Sequence, residues 1–225
     1  MSLKDREPKI ESLRYQRIII MTDQDHDGTH IRGLLLSGLN ELWPELAKTP
    51  GFVGAFTTPI VKAFPKGQDE QWFESIAQFE DWRKKNVNTP TLKAPRYYKG
   101  LGTSTTAEGK VYFSRLPDLI RPFTFDAAGE EKLVESFHPK MAATRRDWLA
   151  EGRLVLGDTE PAVVPAPAEI VSAAKQFKFE VPKKAIELTD FVNGDLRQFA
   201  LYDNSRMVPS MVDGLKTSAR KTLDG

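Results

Sequence analysis

The hydrophobic pattern begins after a polar lead-in, residues 1–14, which carries mixed charges and Pro8. Arg17-Ile18-Ile19-Ile20-Met21 is a short continuous apolar run rich in β-branched side chains. Such a run predicts a strand buried on both faces, as in parallel sheets. It stops at Thr22-Asp23, and a loop of alternating acids follows to Gly28. From Thr29 the period turns helical: Ile31, Leu34, Leu35, Leu39 and Leu42 share one face, and Pro44 marks the end. Strand, polar loop and helix make the first half of a βαβ unit. Further strands are predicted at 58–64, at Trp72-Phe73 and at 96–98. Ser75 with Gln78, and Thr105 with Glu108, are capping-box pairs that open helices through 81–85 and across Val111, Tyr112 and Phe113. Two more helices are predicted at 130–137 and 142–149. Strands alternating with helices predict an α/β fold, a parallel sheet flanked by helices. Periodicity fades at 157–175, where prolines and small residues predict a linker. The expected organisation is a lead-in (1–14), an α/β domain (15–150), an irregular linker (151–182) and the start of a second, mainly helical domain (183–225).

Composition adds exclusions. With 225 residues and 40% of them apolar, the chain can bury a sizeable core, so wholesale disorder is not expected. The absence of cysteine excludes a disulfide framework, a Zn–Cys site and a thiol nucleophile. No run approaches the roughly 20 apolar residues that span a bilayer, and the charged start lacks the apolar stretch of a secretory signal. A soluble intracellular protein with no membrane partner is expected. The net charge of +1 offers no whole-chain attraction for nucleic acid.

The chemistry concentrates in Asp23-Gln24-Asp25-His26-Asp27-Gly28. Three carboxylates at alternate positions repel one another unless a cation or a positive group holds them. They follow a predicted parallel strand, where α/β proteins bind ligands. An oxygen-only donor set suits a hard cation, Mg²⁺ above all when phosphate or water completes the shell. The plain alternative is a polar turn in which Asp27 or Thr29 caps the next helix. An EF-hand fails because its twelfth position, counted from Asp23, is Leu34 rather than Glu. A zincin fails because His26 and His30 enclose Asp27 and Gly28 instead of starting H-E-x-x-H. An aspartyl phosphotransferase of the haloacid dehalogenase type, with Asp23 as nucleophile, stays open as a second reading.

At this level of detail the residues resemble one family. Residues 20–35, IMTDQDHDGTHIRGLL, resemble the TOPRIM acidic motif of eukaryotic-type (type IIA) DNA topoisomerase II. Three further stretches resemble the same family in the same order: TPIVKA at 58–63, YYKGLGTS at 97–104, and PSMVDGLK at 209–216 followed by Arg220-Lys221. The resemblance spans Leu13 to Leu223. It implies a TOPRIM-type, Rossmann-like sheet lacking its first strand and helix, then the opening of the winged-helix breakage–reunion region. It implies an enzyme that cuts both DNA strands through phosphotyrosine linkages, passes a second duplex and reseals, using ATP elsewhere in the parent protein. Asp23 and Asp25 would then be Mg²⁺ ligands and Asp27 a supporting acid. His30, Arg32, Lys99, Gly100, Gly102, Thr103, Ser104, Lys216 and Arg220 would meet the DNA backbone. The family's upstream E-G-D-S-A glutamate and its nucleophilic tyrosine have no counterpart here, so the chain resembles part of a larger enzyme and is expected to be inactive alone. The parent would be a homodimer acting on double-stranded DNA, in the nucleus or alternatively the mitochondrion.

The remaining aromatic and basic residues read as structural. Tyr15, Tyr97, Tyr98, Tyr112 and Tyr202 are expected to pack, as are Trp43, Trp72, Trp82 and Trp148. Arg145 and Arg146 are expected on a solvated or interdomain face.

Overall fold

A computed structural model describes residues 8–74, 76–98, 104–152, 163–178 and 181–224. Its main sheet has five strands. β1 (Ile18–Met21) pairs in parallel with β2 (Val53–Phe56), placing Ile18 opposite Val53 and Met21 opposite Phe56. β2 pairs antiparallel with β6 (Ile120–Thr124), which pairs in parallel with β8 (Lys184–Glu187). β7 (Val164–Pro165) closes the far side, antiparallel to β8. The fold is α/β as expected, with a mixed rather than wholly parallel sheet. A smaller antiparallel sheet carries β4 (Gln71–Phe73), β3 (Val61–Pro65) and β5 (Thr91–Tyr97) in that order. Helix α3 (Ile76–Lys85) covers it, with Phe79 packing on Val61, Ala63 and Phe73.

The connection from β1 to β2 runs through α1 (His26–Leu42) and α2 (Pro44–Lys48). Asp25 is the N-cap of α1: its backbone is extended and its side chain accepts the Gly28 N–H at 2.7 Å. The helix therefore starts at His26, ahead of the periodic pattern that placed its onset at Thr29. Gly28 lies inside the first turn, where an added Cβ would stand 2.1 Å from the Asp23 carbonyl oxygen. Only glycine fits where the turn folds back on its own strand exit.

Two expectations about burial are corrected. β1 is an edge strand among the described residues, so Ile18 and Met21 are 37% and 48% exposed rather than covered on both faces. Part of the apolar face read on α1 is also turned off the core: Ile31, Leu34 and Leu35 are exposed, Leu39 packs on the core, and Gly28, Arg32, Gly33 and Leu36 are buried. Close approach explains this rotation. A Cβ on Gly33 would meet Leu196 and Phe137 at 3.0 Å, a distance the leucine-rich face could not accept.

The stretch expected to be linker holds regular structure. Alongside β7 it contains α8 (Ala168–Gln176), which buries Ile170, Ala173 and Ala174. Past it, β8 joins the main sheet and continues into α9 (Leu188–Phe191), a π-helical turn (Val192–Leu196) and α10 (Arg197–Met207). Leu188, Phe191, Val192, Leu196 and Phe199 pack in one core with Ile20, Leu36, Val53, Phe123 and Leu133. Trp148, on α7 (Ala142–Ala150), packs in the same core and donates to Asn193 Oδ1 at 3.1 Å. α6 (Ala127–Phe137) is capped by Asp126, whose carboxylate also accepts the Thr189 N–H at 3.1 Å. One carboxylate thus starts α6 and holds the exit of β8. Among the described residues no helix is long and apolar enough to cross a membrane.

Candidate functional site

The acidic loop leaves the carboxyl end of β1 and presents Asp23, Asp25 and Asp27 at exposed positions, with Thr22, Gln24 and His26 partly covered between them. The three acids do different work. Asp25 gives one oxygen to the helix cap, and its second oxygen has no partner among the described residues. Asp27 is gripped by Arg206 of α10, with Nη1 at 3.1 Å from one carboxylate oxygen and Nη2 at 2.5 Å from the other. The hydrogen bonds and charge of Arg206 hold the Asp27 carboxyl below the usual carboxylate range. Arg206 is braced by Asp203 at 3.0 Å and lies over the Tyr202 ring, which stacks on His26 at 4.5 Å.

Behind the loop is a cavity of about 120 Å³ whose walls include Gln24, Asp25, Arg32, Glu74, Asp195 and Gln198. Arg32, expected to face DNA, instead points inward: it is 4% exposed and donates to Thr22 Oγ1 at 3.3 Å. Asp195, on the π-helical turn, shares this interior. Burial pushes its carboxyl up to about 6, an effect that the positive charge of Arg32 partly offsets. His30 also turns inward and stacks on Phe199 at 4.2 Å.

Of the second candidate loop, the flanking residues are described. Lys99, Gly100, Gly102 and Thr103 lie outside the described residues. Of its neighbours, Ser104 Oγ stands 3.2 Å from the Tyr112 hydroxyl. Glu108, in the first turn of α4 (Thr106–Ser114), forms the expected capping box with Thr105. The same carboxylate accepts the Tyr98 hydroxyl at 2.5 Å and ion-pairs with buried Lys62 at 3.3 Å and with Arg96 at 3.4 Å. Burial opposes its ionisation, yet the Thr105, Tyr98 and Lys62 hydrogen bonds bring Glu108 down to about 2. Tyr98 is pushed up by burial and by the same carboxylate.

Near the end of the chain Lys216 is exposed, while Arg220, on α11 (Thr217–Asp224), closes a fork on Asp213 at 2.6 and 2.8 Å. Of the tyrosines, Tyr98 and Tyr112 are buried and Tyr202 stacks on His26; Tyr97 is 51% exposed yet meets Phe79 edge-on at 6.0 Å, whereas Tyr15 is 73% exposed. Arg145 donates to the Glu135 and His138 carbonyls at the end of α6. Sequence reasoning missed Arg206, Asp195 and the wider role of Glu108. Only Glu108 left a signal, its capping-box spacing. Asp27 and Arg206 stand 179 positions apart.

The donor chemistry fits a hard cation. Asp23 and Asp25 offer exposed carboxylate oxygens, and Mg²⁺ commonly binds through one or two carboxylates while keeping waters or phosphate. Among the described residues no three acidic or histidine side chains converge as a complete protein shell.

Residues 56–204 match the family described as the C-terminal associated domain of TOPRIM. The match covers more than half of the chain, which belongs to that family. The chain is 39% identical over 215 residues to DNA topoisomerase 2 of Trypanosoma brucei brucei, covering 95% of this chain and 16% of that protein. It is 38% identical over 216 residues to DNA topoisomerase 2 of Arabidopsis thaliana, covering 95% of this chain and 13% of that one. Its structure is similar to the DNA-binding, cleavage and re-ligation domain of Plasmodium falciparum topoisomerase II, with TM-score 0.73 and 33% identity over 99% of this chain and 28% of that one.

Proposed function

We propose that this member of the TOPRIM C-terminal associated family supplies the acidic, phosphate-facing part of the DNA cleavage–religation core of an ATP-dependent type II DNA topoisomerase. The observation that carries the reading is the acidic loop itself. It sits at the exit of β1 on a helix N-terminus, with Asp23 and Asp25 both exposed and Asp27 paired with Arg206. A helix N-terminus favours phosphate through its unpaired N–H groups. Asp23 and Asp25 would hold Mg²⁺, which when bound would polarise the scissile phosphate and stabilise the leaving 3′-oxygen. The Asp25 cap fixes the rotamer of one ligand, so part of the site's geometry is set by the helix. Lys216 would meet the DNA backbone, as would Lys99, Gly100, Gly102, Thr103 and Ser104. The inward positions of His30 and Arg32 give them a supporting role behind the loop. Phosphate-directed contacts suit sequence-tolerant duplex passage. The parent would act as a homodimer in the nucleus, or alternatively the mitochondrion. The similarities reported above are to topoisomerases, and the reading of Asp23 as a phosphate-accepting nucleophile is set aside.

The test is Asp25→Asn in the full-length protein. Asn keeps an acceptor for the Gly28 N–H but removes the charge. Mg²⁺-dependent DNA cleavage should fall by roughly a hundredfold or more, the scale seen when one transition-state stabilising group is lost, while ATP hydrolysis falls far less. Equal loss of both activities, or cleavage retained, would overturn the assignment.

A further inference from the structure

We infer that Arg206 is the positioning residue of the acidic loop, holding Asp27 away from Asp23 and Asp25. This deepens the proposed function and rests on it for its catalytic consequence. Three alternate carboxylates leaving one strand repel one another; Asp25 is held by the Gly28 N–H, and the largest stabilisation of Asp27 comes from Arg206. That hold on Asp27 comes from α10. The Arg206 guanidinium takes both oxygens of Asp27 in a fork, a geometry with directional strength that a lysine could not reproduce. Isolated exposed ion pairs contribute little, but the guanidinium of this one is braced by two further groups. Asp203 fixes the Arg206 Nε at 3.0 Å, the Tyr202 ring lies beneath the guanidinium at 5.1 Å, and Tyr202 stacks on His26. α10 therefore grips the two residues that directly follow Asp25.

The test uses Arg206→Gln, Arg206→Lys and Asp27→Asn in the full-length protein. Hydrogen exchange, read without metal or DNA, should rise on the order of tenfold at the Gly28 and Thr29 amides in Arg206→Gln, a local opening and not a global one. Arg206→Lys should fall between that variant and wild type. The double variant Asp27→Asn/Arg206→Gln should match Asp27→Asn alone, because Arg206 acts through Asp27. In cleavage assays at saturating Mg²⁺, Arg206→Gln should lower maximal cleavage roughly five- to tenfold, within the usual range of site coupling, with DNA affinity unchanged. Unchanged exchange, additive effects in the double variant, or a loss confined to DNA affinity would each overturn the inference. If exchange responds as expected while the wild-type protein shows no Mg²⁺-dependent cleavage, the positioning role stands and the proposed function fails.

Discussion

At the scale of single residues, Gly28 and Asp25 decide where the acidic loop ends and the helix begins. Gly28→Ala would drive a methyl group into the Asp23 carbonyl, 2.1 Å away, so the strand exit or the first turn must move. The expected loss is about 1–3 kcal/mol of stability, measured by urea denaturation, with the Asp25 cap weakened in the same variant. A loss below about 0.5 kcal/mol would show that the turn relaxes freely. The sequence made the acids legible because charge clustering is a local property. It could not show that Asp25 is the cap, since Asp25, Asp27 and Thr29 are all competent capping residues. Nor could it show Arg32 facing inward, because the counter-charge Asp195 lies on a distant π-helical turn.

At the scale of elements, strands and helices with strong local signals were readable. The Thr105–Glu108 capping box and α3, α4, α6 and α7 lie where the pattern put them. β8 was missed because Lys-Ala-Ile-Glu is short and only its middle pair, Ala185 and Ile186, is buried. α8 was missed because prolines around it masked a nine-residue amphipathic stretch. The junction of β5 and α4 yields a pH prediction. Glu108 is held at about 2 against an ordinary 4.5. A depressed carboxylate contributes stability that is present above the unfolded value and is lost as pH falls through the folded one. Stability should therefore decline between about pH 4.5 and 2 in wild type, and less steeply in Glu108→Gln. Acid titrations followed by circular dichroism would check this. Parallel acid limbs in the two proteins would remove Glu108 from the account.

At the scale of the whole molecule, residues 184–207 are part of the same core as residues 18–150. Ile186, Leu188, Phe191, Val192, Leu196 and Phe199 all belong to the principal cluster. Deleting everything after residue 182 should leave a chain without a cooperative thermal transition, because losing even one such side chain costs roughly 2–5 kcal/mol. A sharp transition in that truncated chain would show that the first part folds independently. The shared core also sets an order of events in the cell. β6 and β8 neighbour each other in the sheet, and the Thr124 hydroxyl bonds the Ile186 carbonyl across 62 positions of sequence. At synthesis speeds of about 5–20 residues per second, β6 waits roughly 3–12 seconds for its neighbour to be made. During that interval the apolar side chains that later pack against β8 and α10, Phe123, Ile20 and Leu36 among them, lack their partners on the nascent chain, which leaves an aggregation-prone surface while synthesis continues.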